Sequence, residues 1–176
     1  MKTFWAVFFA ILAAAAVLAV VLSVVIQVRR QTLSAENRLI AKEALARRIV
    51  DWNEESAVAS LRTINTSEIT YHSSFPSFPS YSRDLASLGP GAVVPNPNHA
   101  GLIDEVLASG KKSDYVFRYN AGAADRRGRI EAYTVTASPV VFGKTGLKNF
   151  FMDETGVIRE TSEDRVATRT DPPLAR

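Results

Sequence analysis

The chain has 176 residues, a hydrophobic fraction of 47% and a formal net charge of +3 at pH 7. This length suits one modest domain with an extension, and so small a charge excess does not argue for binding to nucleic acid. Cysteine is absent, which excludes disulfide bonds and metal sites built on thiolates.

The N-terminal part of the chain is a single apolar run. Phe4 to Val28 contains no charged residue, and as a helix it would extend about 37 Å, against about 30 Å for a bilayer core. We therefore predict a transmembrane anchor over residues 1–30. The alternative is a signal peptide cleaved after Ala16 or Ala19, but signal cores span only about 7–15 residues, which favours a retained anchor.

The orientation of this anchor is left open by the sequence. Lys2 precedes the apolar run, whereas several basic residues follow it: Arg29, Arg30, Arg38, Lys42, Arg47 and Arg48. The positive-inside rule then favours a cytoplasmic C-terminal part, although the rule weakens for charges far from the membrane.

A long helix is predicted to continue beyond the anchor. No glycine or proline occurs before Pro76, and Pro76 disfavours helix at Phe75. Apolar residues recur at helical spacing and predict one buried face, with the charges solvated. Glu68 borders that face, where we expect it to stay in contact with water. The predicted face comprises Val50, Ala57, Val58, Leu61, Ile64, Ile69 and Tyr71.

The chain after the long helix changes its period from about 3.6 to 2. We predict a short helical turn within Ser82–Leu88, a short amphipathic helix over Leu102–Ser109 ended by Gly110, and then two hairpins. The predicted fold class is α+β, a long transmembrane-plus-amphipathic helix packed on a four-stranded antiparallel sheet. The four predicted strands contain Tyr115–Tyr119, Tyr133–Ala137, Phe150–Met152 and Val157–Thr161.

These elements predict four segments. Residues 1–30 form the anchor, 31–52 a helical stalk and 53–162 a globular head. Residues 163–176 have little to bury and form a loosely ordered tail.

The sequence offers few groups for chemistry. No phosphate-binding loop, dinucleotide fingerprint or nucleophile elbow occurs, and the two histidines, His72 and His99, lie in or beside loops. The acidic neighbours Glu54 and Glu55 do not predict a convergent pair. We predict no catalytic, cofactor-binding or metal residue and no cofactor, so the chain is not expected to be an enzyme.

Two charged segments are candidate ligand sites, one for a cation and one for an anion. Four carboxylates would surround a hard cation if the tail folded back on the second hairpin, but their spacing favours solvated turns. The basic turn Arg126–Arg129 likewise fits a solvated hairpin loop better than an anion site. The four carboxylates are Asp153, Glu154, Glu163 and Asp164.

Several blocks of the chain resemble bacterial type IV pilins and pseudopilins. They occur in order over about 110 residues: NEESAVASLRTINTSEITY, YSRDLASLG, LIDEVLASGKKSDYVFRY, AYTVTASP and FFMDETGVIR. The resemblance implies a long helix against an antiparallel sheet, and a subunit or accessory of a type IV pilus or a type II secretion pseudopilus. It also implies an inner-membrane, single-pass location with a periplasmic or extracellular head. Its implied partners are the lipid bilayer, pilin or secretion-system subunits and further copies of the chain, without nucleic acid.

The resemblance stops at the N-terminus. Type IV prepilins have a glycine before the apolar run and a glutamate within it. In this sequence no glycine precedes Phe4, and Phe4 to Val28 contains no glutamate. The chain is therefore expected to lack prepilin-type processing. The alternative function is a membrane-tethered ligand-binding or sensory module, which would use a pocket lined by Tyr115, Phe117, Tyr119 and Tyr133.

Overall fold

The computed structural model describes the backbone of residues 2–76, 80–91 and 93–175, and side chains within those ranges from Leu18 onward. Residues 4–17 of the predicted anchor are thus described as helix only, and residues 77–79, which follow Pro76, lie outside the description. The chain divides into two compact units, residues 1–47 and 48–176. This division precedes the predicted start of the head at residue 53 by a few residues.

The long helix α1 spans Lys2–Ser74. It is continuous because no glycine or proline interrupts it, and it ends where the Phe75 N–H still reaches the carbonyl of Tyr71 and Pro76 follows. The prediction of a helix from the apolar run to the early seventies is confirmed.

Two short helices follow α1, each begun by an aspartate. The α2 helix is Leu85–Leu88, and the Asp84 carboxylate accepts the Ser87 N–H. The α3 helix is Glu105–Ala108, and Asp104 caps it by accepting the Leu107 N–H. The prediction that α3 begins at Leu102 is wrong, since the cap at Asp104 fixes the start. Gly110 follows the last turn at φ 78°, a left-handed conformation that glycine adopts without strain.

The sheet has five antiparallel strands in the order β1-β2-β3-β4-β5, so the predicted four are one too few. The missed strand, β1, pairs with β2 across a two-residue turn in which Ser113 and Asp114 have φ of 48° and 56°. Positive φ at both positions is typical of a type I′ turn, whose two residues are most often Asn-Gly. Because this turn has Ser113-Asp114 instead, the sequence does not indicate a hairpin here. The strands are β1 Lys111–Lys112, β2 Tyr115–Ala121, β3 Tyr133–Pro139, β4 Asn149–Asp153 and β5 Arg159–Thr161.

One hydrophobic core joins α1, the short helices and one face of the sheet. In β2 and β3 alternate residues are buried, as the period of 2 predicts. On α1, Leu61 and Ile64 are fully buried, whereas Ile69 is 61% exposed, so its assignment to the buried face is wrong. The remaining core residues on α1 are Ala57 and Tyr71, with Val58 partly buried against them.

All five residues of β4 are buried. Phe150 and Met152 belong to the main core, while the two end residues of β4 contact the C-terminal segment: Asn149 donates to the Glu163 carbonyl, and Asp153 pairs with Arg169. The segment also pairs with β5, since the Glu160 N–H donates to the Pro172 carbonyl.

Hydrogen bonds between charged side chains hold the C-terminal segment, residues 163–175, in place. Arg165 forms two hydrogen bonds to the Asp171 carboxylate, which also accepts the Thr168 N–H. These donors lower the pKa of Asp171. Ala167 and Asp171 are buried, so the expectation that this segment has little to bury is wrong for both residues.

Candidate interaction surface

The part of α1 from Leu18 to Val28 exposes an apolar surface. From Leu18 on, α1 is long and apolar enough to cross a membrane, judged by length and composition. The side chains from Leu18 to Val28 are exposed, and they include five valines. Exposed aliphatic side chains on this scale suit a lipid environment.

A second exposed surface lies on α1 within the unit of residues 48–176. We define the outer face of α1 as Arg48, Trp52, Glu55, Ala59, Arg62 and Thr66, which are all exposed. These residues follow one another at helical spacing, so they share one side of the helix. Leu61 and Ile64, which bury the opposite side, show that the helix is amphipathic here.

The threonines of this part of α1 are satisfied within the helix. The hydroxyls of Thr63, Thr66 and Thr70 each donate to the carbonyl four residues earlier. Because each hydroxyl proton is already used in a hydrogen bond within the helix, the methyl group is the part of the side chain left for contacts with other residues.

The outer face is bordered by grooves. One has a volume of about 310 Å³ and is lined by Trp52, Glu55, Ser56 and Ala59. A second, of about 280 Å³, lies between α1 and the sheet edge, where Lys148 and Glu160 form an ion pair at 2.7 Å. A third, of about 360 Å³, is lined by residues of α1 that include Arg62 and Thr66, and by Leu102.

Glu68 lies in the core, so the expectation that it stays in contact with water is wrong. Its carboxylate is 0% exposed and accepts hydrogen bonds from the Ser82 N–H at 2.9 Å and the Ser82 hydroxyl at 2.5 Å. Burial raises the pKa of Glu68, and the two Ser82 donors partly offset this. The contact fastens the loop before α2 to α1.

The aromatic side chains weighed for a ligand pocket are part of the core. Tyr115, Phe117 and Tyr133 are buried and Tyr119 is half-buried. The Tyr119 and Tyr133 rings stack with centroids 5.5 Å apart. Each tyrosine hydroxyl donates to a protein oxygen: Tyr115 to Lys148, Tyr119 to Ser82 and Tyr133 to Asn65. Their hydroxyls are therefore used in holding the fold together.

Of the four carboxylates considered for a cation, Asp153, Glu154 and Glu163 pair with arginines, and Asp164 is exposed. Arg169 pairs with Asp153 at 2.9 Å and with Glu154 at 3.3 Å, and Arg165 pairs with Glu163 at 2.5 Å. Asp153 Oδ1 also accepts from Thr155. Within the part of the chain that is described, no three His, Cys, Asp or Glu side chains converge in a way that would hold a metal ion.

The basic turn is an exposed loop closed by one carboxylate. Asp125 accepts the N–H groups of Arg127 and Arg129, and Arg129 also pairs with Asp125 and Glu131. Part of the basic charge is thus neutralised locally. His72 and His99 are both exposed and lie on separate parts of the chain.

Glu54 and Glu55 do not converge. Glu54 accepts the Leu147 N–H at 2.7 Å, and its neighbour Asn53 donates to the Thr145 carbonyl. Both contacts hold the loop after β3 against α1, whereas Glu55 lies on the outer face. Sequence reasoning missed the outer face because it assigned the charged residues of α1 to solvent.

No protein-family model matches the chain, and no curated protein and no solved structure matches it either.

Proposed function

We propose that the chain is a non-enzymatic, membrane-anchored, pilin-like envelope protein, a subunit or accessory of a type IV pilus or a type II secretion pseudopilus. The observation that carries the proposal is the continuous helix Lys2–Ser74. It begins in an apolar segment suited to a bilayer and ends in the core of an α+β unit. A protein built this way holds a folded unit at a membrane and leaves one helix face free for contact.

The blocks that carry the resemblance to pilins fall on ordered elements of the fold. Asn53–Tyr71 lies within α1, Ala132–Pro139 contains β3, and Phe150–Arg159 contains all of β4 except Asn149, with the turn to β5. A long helix followed by an antiparallel sheet is also the arrangement that the resemblance implies. These correspondences support the proposal at the level of architecture.

The sensory alternative receives less support. It requires convergent aromatic side chains around a cavity, and the aromatic residues weighed for that role are packed in the core with their hydroxyls bonded to protein oxygens. The grooves that are described lie instead along α1.

We further propose that the anchor lies in the inner membrane as a single span and that residues 48–176 lie in the periplasm or outside the cell. A reporter fused after Arg176 that is active only in the periplasm should be active, and one active only in the cytoplasm should be silent. Cytoplasmic activity alone would show that the basic residues after Val28 set the orientation.

The processing state is a separate prediction. Because the uncharged run Phe4 to Val28 is long enough to span a bilayer, chain that keeps this run should be found in the membrane fraction after alkaline extraction. Sheared surface filaments, analysed by mass spectrometry, should contain no N-terminally shortened form. A mature N-terminus after Ala16 or Ala19 would contradict the anchor, and abundant shortened chain in filaments would indicate an ordinary processed pilin.

A further inference from the structure

The groove between α1 and the sheet edge combines an apolar lining with charged side chains. Its volume is about 280 Å³, and Val58, Phe150 and Leu174 form the apolar part of its lining. All three pack in or against the hydrophobic core, and the Leu174 N–H also donates to the Ile158 carbonyl at 2.8 Å. The groove is therefore preformed, as ligand sites usually are, and it lies wholly within the unit of residues 48–176.

One side of α1 presents an acidic, an apolar and a basic residue along this groove. Glu54, Val58 and Arg62 all line it, and their spacing of four residues places them on the same side of the helix. Glu54 and Arg62 are separated by about 12 Å along the helix axis. Glu55 adds a second carboxylate at the acidic end. Two opposite charges thus lie at the two ends of an apolar surface.

The charges at the two ends have no ionic partner within the described part of the chain. No ion pair there includes Glu54, Glu55 or Arg62. Lys148 and Glu160, which also line the groove, neutralise each other at 2.7 Å. Glu54 and Arg62 are too far apart to pair on their own helix, where partners lie three or four residues apart. The groove therefore offers a ligand one negative end and one positive end.

We propose that this groove binds a short extended peptide of about three residues with free termini and an apolar middle side chain. The Arg62 guanidinium presents paired N–H donors that suit a carboxylate, so it binds the C-terminus of the peptide. The carboxylates of Glu54 and Glu55 bind the N-terminal ammonium group. An extended chain spans at most about 3.6 Å per residue, so about three residues reach from one end to the other. The middle side chain then lies on Val58 and Phe150.

Other classes of ligand fit the groove less well. A single amino acid carries its ammonium and carboxylate on one carbon atom, so it reaches only one charged end. A fatty acid supplies a carboxylate for Arg62 but leaves Glu54 and Glu55 beside an apolar chain without a donor, which is unfavourable. A phosphate-bearing ligand is repelled by the same two carboxylates. Peptide binding goes beyond the proposed function, since it does not depend on how the chain is anchored.

Isothermal titration calorimetry of the full-length chain in detergent tests the proposal with the peptide Ala-Leu-Ala. Titration into empty micelles corrects for partitioning of the peptide. Ala-Leu-Ala should bind saturably below about 5 mM. The same peptide with an acetylated N-terminus and an amidated C-terminus, and free leucine, should each bind at least about tenfold more weakly. No saturable binding of Ala-Leu-Ala, or equal binding of the capped peptide or of leucine, would overturn the proposal.

Substitutions at the two ends test which residue holds which terminus. Arg62→Gln changes an exposed residue and should weaken Ala-Leu-Ala at least about tenfold, while the binding of Ala-Leu-Ala-amide, which lacks the carboxylate, should hardly change. Glu55→Gln should weaken peptides with a free N-terminus and spare the acetylated form. Arg118→Gln, an exposed change on β2, is the control and should leave all affinities unchanged. An Arg62→Gln variant that binds Ala-Leu-Ala normally, or that weakens both peptides equally, would contradict the assigned orientation of the ligand.

Peptide binding and anchoring fail separately. Chain that is held in the membrane but binds no peptide overturns the assignment of the groove and leaves the anchoring function standing. Chain that binds the peptide but is absent from the membrane fraction overturns the anchoring function alone.

Discussion

Leu61→Ala is expected to lower the free energy of unfolding of the full-length chain by about 2–5 kcal/mol. Leu61 is fully buried in the core that joins α1 to the sheet. Truncation removes its transfer free energy and leaves a cavity that the neighbouring side chains fill only in part. Denaturant unfolding of detergent-solubilised chain, followed by near-UV circular dichroism, measures this loss.

The matched control for this variant is Leu45→Ala. Leu45 lies on the same helix but is 59% exposed, so the same substitution should cost under about 0.5 kcal/mol. Similar small losses in both variants would show that the buried face of α1 has been assigned to the wrong side.

The second large effect is expected at Glu68, as a change in how stability depends on pH. The pKa of Glu68 is raised above its ordinary value of 4.5, chiefly because burial disfavours the carboxylate. The folded state therefore binds a proton more tightly than the unfolded state does. The stability that this proton contributes is fully present below pH 4.5 and is lost as the pH rises through the pKa of the folded state.

Glu68→Gln removes this titration. The free energy of unfolding of the unmodified chain, minus that of the variant, should therefore fall as the pH is raised from about 4.5 to 7. Glu43→Gln, on the exposed part of α1, is the control and should leave the pH profile as it is. A difference that rises with pH would mean that the hydrogen bonds from Ser82 outweigh the burial of the carboxylate, and a level difference would mean that the two effects cancel; either result contradicts the prediction.

Much of the fold follows from local rules that the sequence displays. The lack of glycine and proline before Pro76 determines the extent of α1. Alternation in Tyr115–Tyr119 and Tyr133–Ala137 determines β2, β3 and their buried faces. The uncharged run Phe4 to Val28 is likewise long enough, as a helix, to cross a bilayer.

Other features were decided by contacts between distant parts of the chain. Glu68 looks like a residue at the border of a helix face, yet Ser82, fourteen residues later, supplies two donors that allow its burial. The C-terminal segment looks polar, yet Arg169 reaches Asp153 and lets that carboxylate lie in the interior. Strand β1 exists because Ser113 and Asp114 accept positive φ to pair it with β2.

The sequence by itself thus determined where the chain is apolar, where it is helical and which residues alternate, because these depend on neighbours along the chain. Only the tertiary structure decided which polar groups are buried, because Glu68 and Asp153 find their partners far along the chain. The outer face from Arg48 to Thr66 is exposed because the sheet covers only the side of α1 that contains Leu61 and Ile64. The helical spacing of apolar residues predicts that side, whereas the burial of Glu68 depends on Ser82, which no local pattern indicates.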